Sequence, residues 1–291
     1  MRVIRRFTPG SAAPGKPPRV ARPLLAGAAL PLAGLRPGDA PRQGTRAGAQ
    51  GIPKPARKDK PEMTLDRALS RAGVASRTVA AELIRAGRVS LDGRVCRDPA
   101  AWVAPARQRL GLDGHPLRHP RPCYWALHKP AGVICSHGDK RGRKTIYDLA
   151  GPLETWYFSV GRLDQDSSGL LLLTNDSVFA ERVASPEHKV AKTYHARVEP
   201  VLPDAALERL RGGLDIGRGE HTTPAKVRRL PRRGAGWIAI TLREGKNRQV
   251  RRMVEAVGGG VRELIRVRIG KLALGALPEG CLLAIRPDDV L

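Results

Sequence analysis

This 291-residue chain predicts an α+β fold: a small helix–helix–hairpin module, then a larger domain with a mixed, largely antiparallel sheet flanked by helices. Three observations carry that expectation. Leu65, Ala68, Leu69 and Ala72 recur at the i, i+3, i+4 and i+7 spacing of one helix face. Two short β-rich runs follow, joined by Asp92-Gly93, a pair suited to a tight hairpin. Beyond Cys123, strand-like segments such as Tyr124–Leu127 and Trp237–Leu242 alternate with helical ones such as Leu202–Leu210 and Gln249–Val257.

Along the chain, residues 1–60 come first and differ from everything after them. They hold 13 Lys and Arg, two acids (Asp39 and Asp59) and ten prolines, with no sustained periodicity. Such a stretch cannot bury enough apolar surface to offset the entropy of ordering, so a disordered basic tail is expected. Three readings compete for it: an arm that tethers RNA, an Arg-rich and acid-poor transit peptide, or a translation start misplaced upstream of Met63. A secretory signal does not fit, because Pro31 interrupts the apolar stretch from Leu24 to Leu35.

The second unit spans 61–119. Gly73 ends the first helix, Ser76 can cap a second that carries Val79, Leu83 and Ile84, and Gly87 closes that one. Val89–Leu91 and Arg94–Cys96 then form the hairpin. Arg67, Arg71, Arg77, Arg85 and Arg88, with Arg94 and Arg97, decorate the module, while acids are sparse. The planar guanidinium donates two hydrogen bonds at once to a phosphate, so these arginines are candidate RNA contacts.

Charge points the same way. Formal charge is +25, and removing the tail leaves +14 on the rest, so a polyanion is the expected partner. Aromatic residues make up only 4%, which argues against a single-strand binder built on exposed rings. Cys96, Cys123, Cys135 and Cys281 are widely spaced and the seven histidines are scattered, so neither a disulfide framework nor a metal site is expected. No run approaches the roughly 18 apolar residues needed to span a bilayer. A cytoplasmic monomer is the expectation, with organellar import left open by the tail.

Four prolines and an Asp113-Gly114 turn fall within 105–122, so the second domain is placed at 123–291. Its most informative stretch is Gly161-Arg-Leu-Asp-Gln-Asp-Ser-Ser-Gly-Leu-Leu-Leu-Leu-Thr-Asn-Asp176. A carboxylate-bearing loop runs through Gly169 into four leucines, which sets an acid at the mouth of a buried element. Taken alone, this is equally a loop Asp that caps a turn before a core strand. Gly138-Asp-Lys-Arg-Gly142-Arg-Lys144-Thr145 has three residues between its glycines where a phosphate-cradling loop has four, so it reads as a basic loop facing RNA. Neither a dinucleotide fingerprint nor any other nucleotide-cofactor motif is present.

The stretch 161–176 resembles, nearly letter for letter, the catalytic motif of RsuA-type ribosomal RNA pseudouridine synthases. Likewise Leu65–Asp98, through Ala-Gly-Val-Ala-Ser-Arg and Ile-Arg-Ala-Gly-Arg-Val, resembles the alpha-L RNA-binding domain first known from a small-subunit ribosomal protein. The likeness covers roughly 64–287 and implies the same mixed fold. It also implies that Asp164 is the nucleophile and that Arg162 fills the gap left by an extracted base. Tyr194, in Lys192-Thr-Tyr194, would stack on the uracil and help remove its C5 proton. Arg251, in Lys246-Asn-Arg248-Gln-Val-Arg251-Arg-Met, would pair with Asp164. Such a partner within about 4–6 Å favours an ionised carboxylate, the form that is a nucleophile. Lys129, Lys192, Lys246 and Arg248 are further candidate contacts to substrate. Ser177 stands where the family usually has Gly, which would be strained if that position needed positive φ. Leu264–Gly270 also matches and is expected to support the floor of the site.

The implied reaction is cofactor-free, metal-free isomerisation of uridine in ribosomal RNA or a pre-ribosomal particle. Asp164 forms an adduct at ribose C1′ or at uracil C6, and the sequence does not choose between them. The large-subunit RNA is favoured by the spelling around Arg251. Two alternatives stay open at this point: a non-catalytic RNA-binding ribosome-assembly factor, and a synthase acting on small-subunit RNA or tRNA.

Overall fold

The computed structural model describes residues 62–291 apart from 106, 118–120, 140, 152 and 154, together with Ile4 and Arg5. The expected tail at 1–60 therefore lies outside the described residues, except that Ile4–Arg5 forms an edge strand against Leu282–Leu283.

The α-helices Leu65–Arg71 (α1) and Arg77–Arg85 (α2) form where the apolar spacing placed them. Leu65, Ala68, Leu69, Ala80, Leu83 and Ile84 bury one face of each helix in a common core. The Ser76 hydroxyl caps α2 by accepting the Val79 N–H at 3.3 Å. Strands Val89–Leu91 (β1) and Arg94–Val95 (β2) pair through Asp92 and Gly93, whose φ values of 48° and 85° make the primed turn that matches strand twist. The Asp113-Gly114 turn builds a second hairpin, Leu110–Leu112 (β3) with His115–Pro116 (β4), and β3 pairs with β1. The second hairpin lies within the 61–119 unit, at the Asp113-Gly114 turn that the sequence marks.

Residues 121–291 bury separate cores around one mixed sheet. Its strands are Tyr124–Lys129 (β5), Phe158–Val160 (β6), Ser168–Thr174 (β7), Lys192–Glu199 (β8), Lys226–Arg229 (β9), Trp237–Leu242 (β10), Gly260–Ile269 (β11) and Leu282–Ala284 (β12). The order across the sheet is β12-β5-β7-β11-β8-β10-β9, with β6 added to β7. Only β7 and β11 run parallel; the remaining pairs are antiparallel. Leu170 to Leu173 are fully buried because β7 is central and covered on both faces. One face packs against Ser177–Ala184 (α3), through Phe179 and Val183. The other meets Ile146 and Leu149 of a short helix at Ile146–Ala150. The Asp204–Gly212 helix (α4) and Gln249–Glu255 (α5) cover β8 and β10 with Leu207, Leu210, Met253 and Val254.

Ser177 carries no strain. It opens α3 in the right-handed region, and the Asp176 carboxylate caps that helix from Val178 N–H (2.9 Å) and Phe179 N–H (3.1 Å).

What positions the site is a fork in the sheet. β7 pairs with β11 for two residues only, Ser168 opposite Ile265 and Gly169 opposite Arg266. From Leu172 onward its partner on that side is β6. The loop 161–167 that joins β6 to β7 is thereby lifted over the gap, and its polar residues stand at the top of a cleft whose walls are strands.

Candidate active site

A cavity of about 320 Å³ occupies the fork, at the small end of the ~300–1,000 Å³ typical of ligand pockets. Asp164 and Tyr194 both line it, together with Arg162, Lys192, Lys246, Arg248 and Arg266. Residues from the 161–167 loop, from β8 and from the turn before α5 thus converge although they lie far apart in sequence. Tyr194 and Lys192 share one face of β8 by the two-residue period of a strand.

The Asp164 carboxylate stands at the mouth with its side chain 31% exposed, and Arg248 Nη1 lies 3.8 Å from Oδ2. Arg248 itself sits in a left-handed turn at φ 50° just before α5, which directs its exposed side chain over the loop. It also reaches Asp166 at 3.4 Å.

Arg251 corrects the expected pairing. Among the described residues, the cation in ion-pair range of Asp164 is Arg248, and Arg251 pairs instead with Asp166 (3.1 Å). The reason is geometric. As the third residue of α5, Arg251 is buried, and it donates to the carbonyls of Asp166 (3.0 Å) and Val261 (3.0 Å). It therefore bolts the 161–167 loop to β11, while the helix-start residue Arg248 faces the carboxylate.

Lys129 is a second correction. It was expected to touch substrate, but its side chain is fully buried and Nζ donates to the carbonyls of Ser167 (2.6 Å), Pro130 (2.8 Å) and Gln165 (3.4 Å). Burial holds its ammonium below the usual lysine range, with Cys135, Asp166 and Asp164 opposing the shift. Lys129 and Arg251 thus grip the 164–167 loop by its backbone. Replacing Lys129 with Met should leave the buried Ser167 carbonyl and the Pro130 carbonyl short of this donor, while the Gln165 carbonyl keeps the Gly132 N–H at 2.7 Å. We expect a loss of about 2–4 kcal/mol in stability, read as a lower denaturant midpoint; a change below about 0.5 kcal/mol, the range of an ordinary surface substitution, would refute the role.

The cations that follow Glu244 are divided among tasks. Lys246 is paired with Glu244 (2.7 Å), whose carboxylate also takes the Gln249 amide (2.6 Å) and the Thr223 N–H (2.9 Å). Burial alone would raise the Glu244 pKa; those partners outweigh it and hold the carboxyl below its ordinary value. Arg252 is spent on Glu220 and on the carbonyls of Ile216 (2.9 Å) and Gly217 (2.6 Å). Of this group Arg248 is the exposed cation beside the nucleophile candidate, and Arg162 is a second exposed cation that lines the cavity.

In the N-terminal module the arginines also differ from one another. Arg67 and Arg85 stand exposed. Arg77 pairs with Asp66 (2.8 Å), and Arg88 forks onto Asp113 (2.8 and 2.6 Å). Arg71 is half-buried against Met63. None of the five lines the cavity.

Sequence reasoning placed Arg266 in the segment expected to support the floor without giving it a role of its own, and it did not name Asp166, Ser167 or Glu244 as site residues. For Arg266 a signal existed: a lone arginine amid Leu264, Ile265 and Val267 is a charge in a core strand, which demands a reason. Among the described residues no cluster of three or more His, Cys, Asp or Glu has metal-binding geometry, and no helix is long and apolar enough to cross a membrane.

Comparison with known proteins agrees with this geometry. Residues 123–256 match the family described as RNA pseudouridylate synthase, and residues 63–104 match the S4 domain. The chain is 38% identical over 229 residues to the ribosomal large subunit pseudouridine synthase B of Bacillus subtilis (strain 168), covering 78% of this chain and 93% of that protein. It is 37% identical over 227 residues to the protein of the same name from Yersinia pestis, covering 74% and 70%. A crystal structure of a pseudouridylate synthase superposes with a TM-score of 0.57 at 28% identity, over 78% of this chain and 97% of that one.

Proposed function

Because this chain belongs to the RNA pseudouridine synthases, of the RsuA/RluB type with an N-terminal S4 domain, we propose that it isomerises a specific uridine of large-subunit ribosomal RNA, with Asp164 as nucleophile. The observation that carries the assignment is the convergence of Asp164, Tyr194 and Arg248 on one nucleoside-sized cavity at the fork of the sheet.

The chemistry follows from that arrangement. Extracting the target base from its stack costs a few kcal/mol, and the exposed Arg162 beside the cavity is placed to occupy the vacated space. The uracil enters against the Tyr194 ring, which supplies a flat face and a hydroxyl for proton movement. The Asp164 carboxylate, with Arg248 beside it, adds to C1′ of the ribose or C6 of the base. The glycosidic bond breaks, the uracil turns, and C5 bonds to C1′. Arg251 and Lys129 act as positioning residues, since both hold the backbone from which Asp164 projects.

The S4 domain is read as an electrostatic anchor for the RNA. Neutralising its exposed cations, as in Arg67→Gln with Arg85→Gln, should release about two fewer counterions per complex and flatten the salt dependence of RNA affinity accordingly. An unchanged slope of log Kd against log salt would remove these arginines from the interface.

The assignment as a whole is tested by mapping pseudouridine across both ribosomal RNAs of cells that lack this protein. One site should vanish from the large-subunit RNA and return with the wild-type gene. A map unchanged at every site would overturn the reading.

A further inference from the structure

The cavity floor holds two buried cations that have no anionic partner among the described residues. Arg266 is 4% exposed and Lys192 9%, and both line the cavity. Arg266 lies directly across the sheet from Tyr194, and Lys192 is two residues from Tyr194 on the same face of β8. The nearby carboxylates are engaged elsewhere: Glu244 by Lys246, Asp164 by Arg248, and Asp166 by Arg248 and Arg251. Arg266 is held by Nε on the Leu170 carbonyl (2.7 Å) and by Nη1 on the Arg162 carbonyl (3.5 Å). Its Nη2 is buried with no hydrogen-bond partner. Burial first, and the like charge of Arg266 second, push the Lys192 pKa down. An unsatisfied charged donor inside a protein is costly to keep, and here it lies beside the cavity where the base is expected to react.

A phosphodiester is not the natural match for this floor. A phosphate keeps its hydration at the mouth, where the exposed Arg162 and Arg248 already stand. The residue opposite Arg266 is the tyrosine proposed to stack on the base, so the group that meets the floor is an edge of the uracil. We infer that Arg266, with Lys192, forms an oxyanion-binding element that donates to a carbonyl oxygen of the uracil and strengthens as negative charge gathers there; this rests on the synthase reading above.

Both routes open to Asp164 generate that charge. Attack at C1′ forms a C1′–O bond and breaks C1′–N1, whose electron pair stays on the uracil and spreads to O2 and O4. Attack at C6 forms a C6–O bond and pushes the C5–C6 π pair toward O4; the C1′–N1 bond then breaks before C5 takes C1′, and the C6–O bond is lost as Asp164 leaves. The charge is discharged when C5 bonds to C1′, Asp164 is released, and the proton lost at C5 is matched by one gained at N1. Donors fixed in advance, in a site shielded from water, stabilise such charge without reorganising.

The test separates chemistry from affinity, with the wild type's own turnover as its reference. Single-turnover rate and Kd are measured on in vitro transcribed large-subunit ribosomal RNA for the wild type, Arg266→Lys, Arg266→Met and Lys192→Met. Each Met variant should lose about 100- to 1,000-fold in rate, as on removal of one oxyanion donor, with Kd within about three-fold. Arg266→Lys, which keeps the charge, should recover part of the Arg266→Met loss. If Kd weakens and its salt slope flattens while the saturating rate is unchanged, the pair binds phosphate and the inference fails. It fails equally if neither quantity moves. Should the Arg266 variants not fold, Lys192→Met decides alone, because Lys192 makes no ion pair among the described residues that the fold would lose. A wild-type enzyme that forms no pseudouridine in this RNA would overturn the synthase reading itself, a result distinct from any of these.

Discussion

Asp164→Asn should abolish turnover, by more than about 10⁴-fold as for loss of a covalent nucleophile, while RNA affinity stays within a few-fold. The amide has the same shape but does not attack carbon, and no phosphate contact is removed. Stability should be nearly unchanged, because Asp164 is partly exposed and its ion pair with Arg248 is long at 3.8 Å. Release of tritium from C5-labelled uridine in ribosomal RNA reads the effect directly. Activity within ten-fold of wild type would mean that another group forms the adduct. Asp166, held by Arg251 at 3.1 Å and by Arg248 at 3.4 Å, would then be the next carboxylate to test.

Gly169→Ala should destabilise the whole catalytic sheet rather than impair one step. Gly169 has φ +108°, and a Cβ there would stand 2.3 Å from the Arg266 carbonyl oxygen and 2.6 Å from the Arg266 nitrogen. Both obstacles are backbone, so no side chain can swing aside. The strand is pinned on its other edge by Gly169 opposite Lys129, which leaves β11 as the element that must move. Moving β11 displaces Arg266 and opens the fork. We expect a loss of about 4 kcal/mol or more, in the range of severe backbone and packing lesions, with the melting midpoint lower by about 10 °C. Gly138→Ala is the control, since nothing lies within 4 Å of a Cβ at that site and its φ is not positive. Equal melting of the two variants would show that the close approach of β7 and β11 carries no stability.

The same two residues mark how far the sequence reaches. Local chemistry was legible wherever a segment decides its own conformation: the 3.6-residue spacing of Leu65 to Ala72, the Ser76 cap, the Asp92-Gly93 turn, and the carboxylate loop that enters the buried leucines of β7. The arginine-rich module could be recognised, but not the division of its cations into the exposed Arg67 and Arg85 and the paired Arg77 and Arg88. That division depends on Asp66 and Asp113 being brought within reach by the fold.

At the catalytic site the chain alone named Asp164, Tyr194 and the cations around Arg251, because each sits in a short segment whose spelling persists in linear order. Which cation faces which carboxylate was decided by tertiary structure. Arg248 and Arg251 are three residues apart, and only the entry angle of α5 against the 161–167 loop sends one to the mouth and buries the other. Lys129 reads in the sequence as a contact to substrate, whereas the pairing of β5 with β7 encloses it beneath the loop. Arg266 acquires its place from the two-residue parallel pairing of β7 with β11, a contact between segments almost a hundred positions apart. Conformation encoded within a turn of helix or a hairpin is carried by the sequence itself; the partner of a buried charge is set by which distant backbone closes over it, and that is a property of the folded sheet.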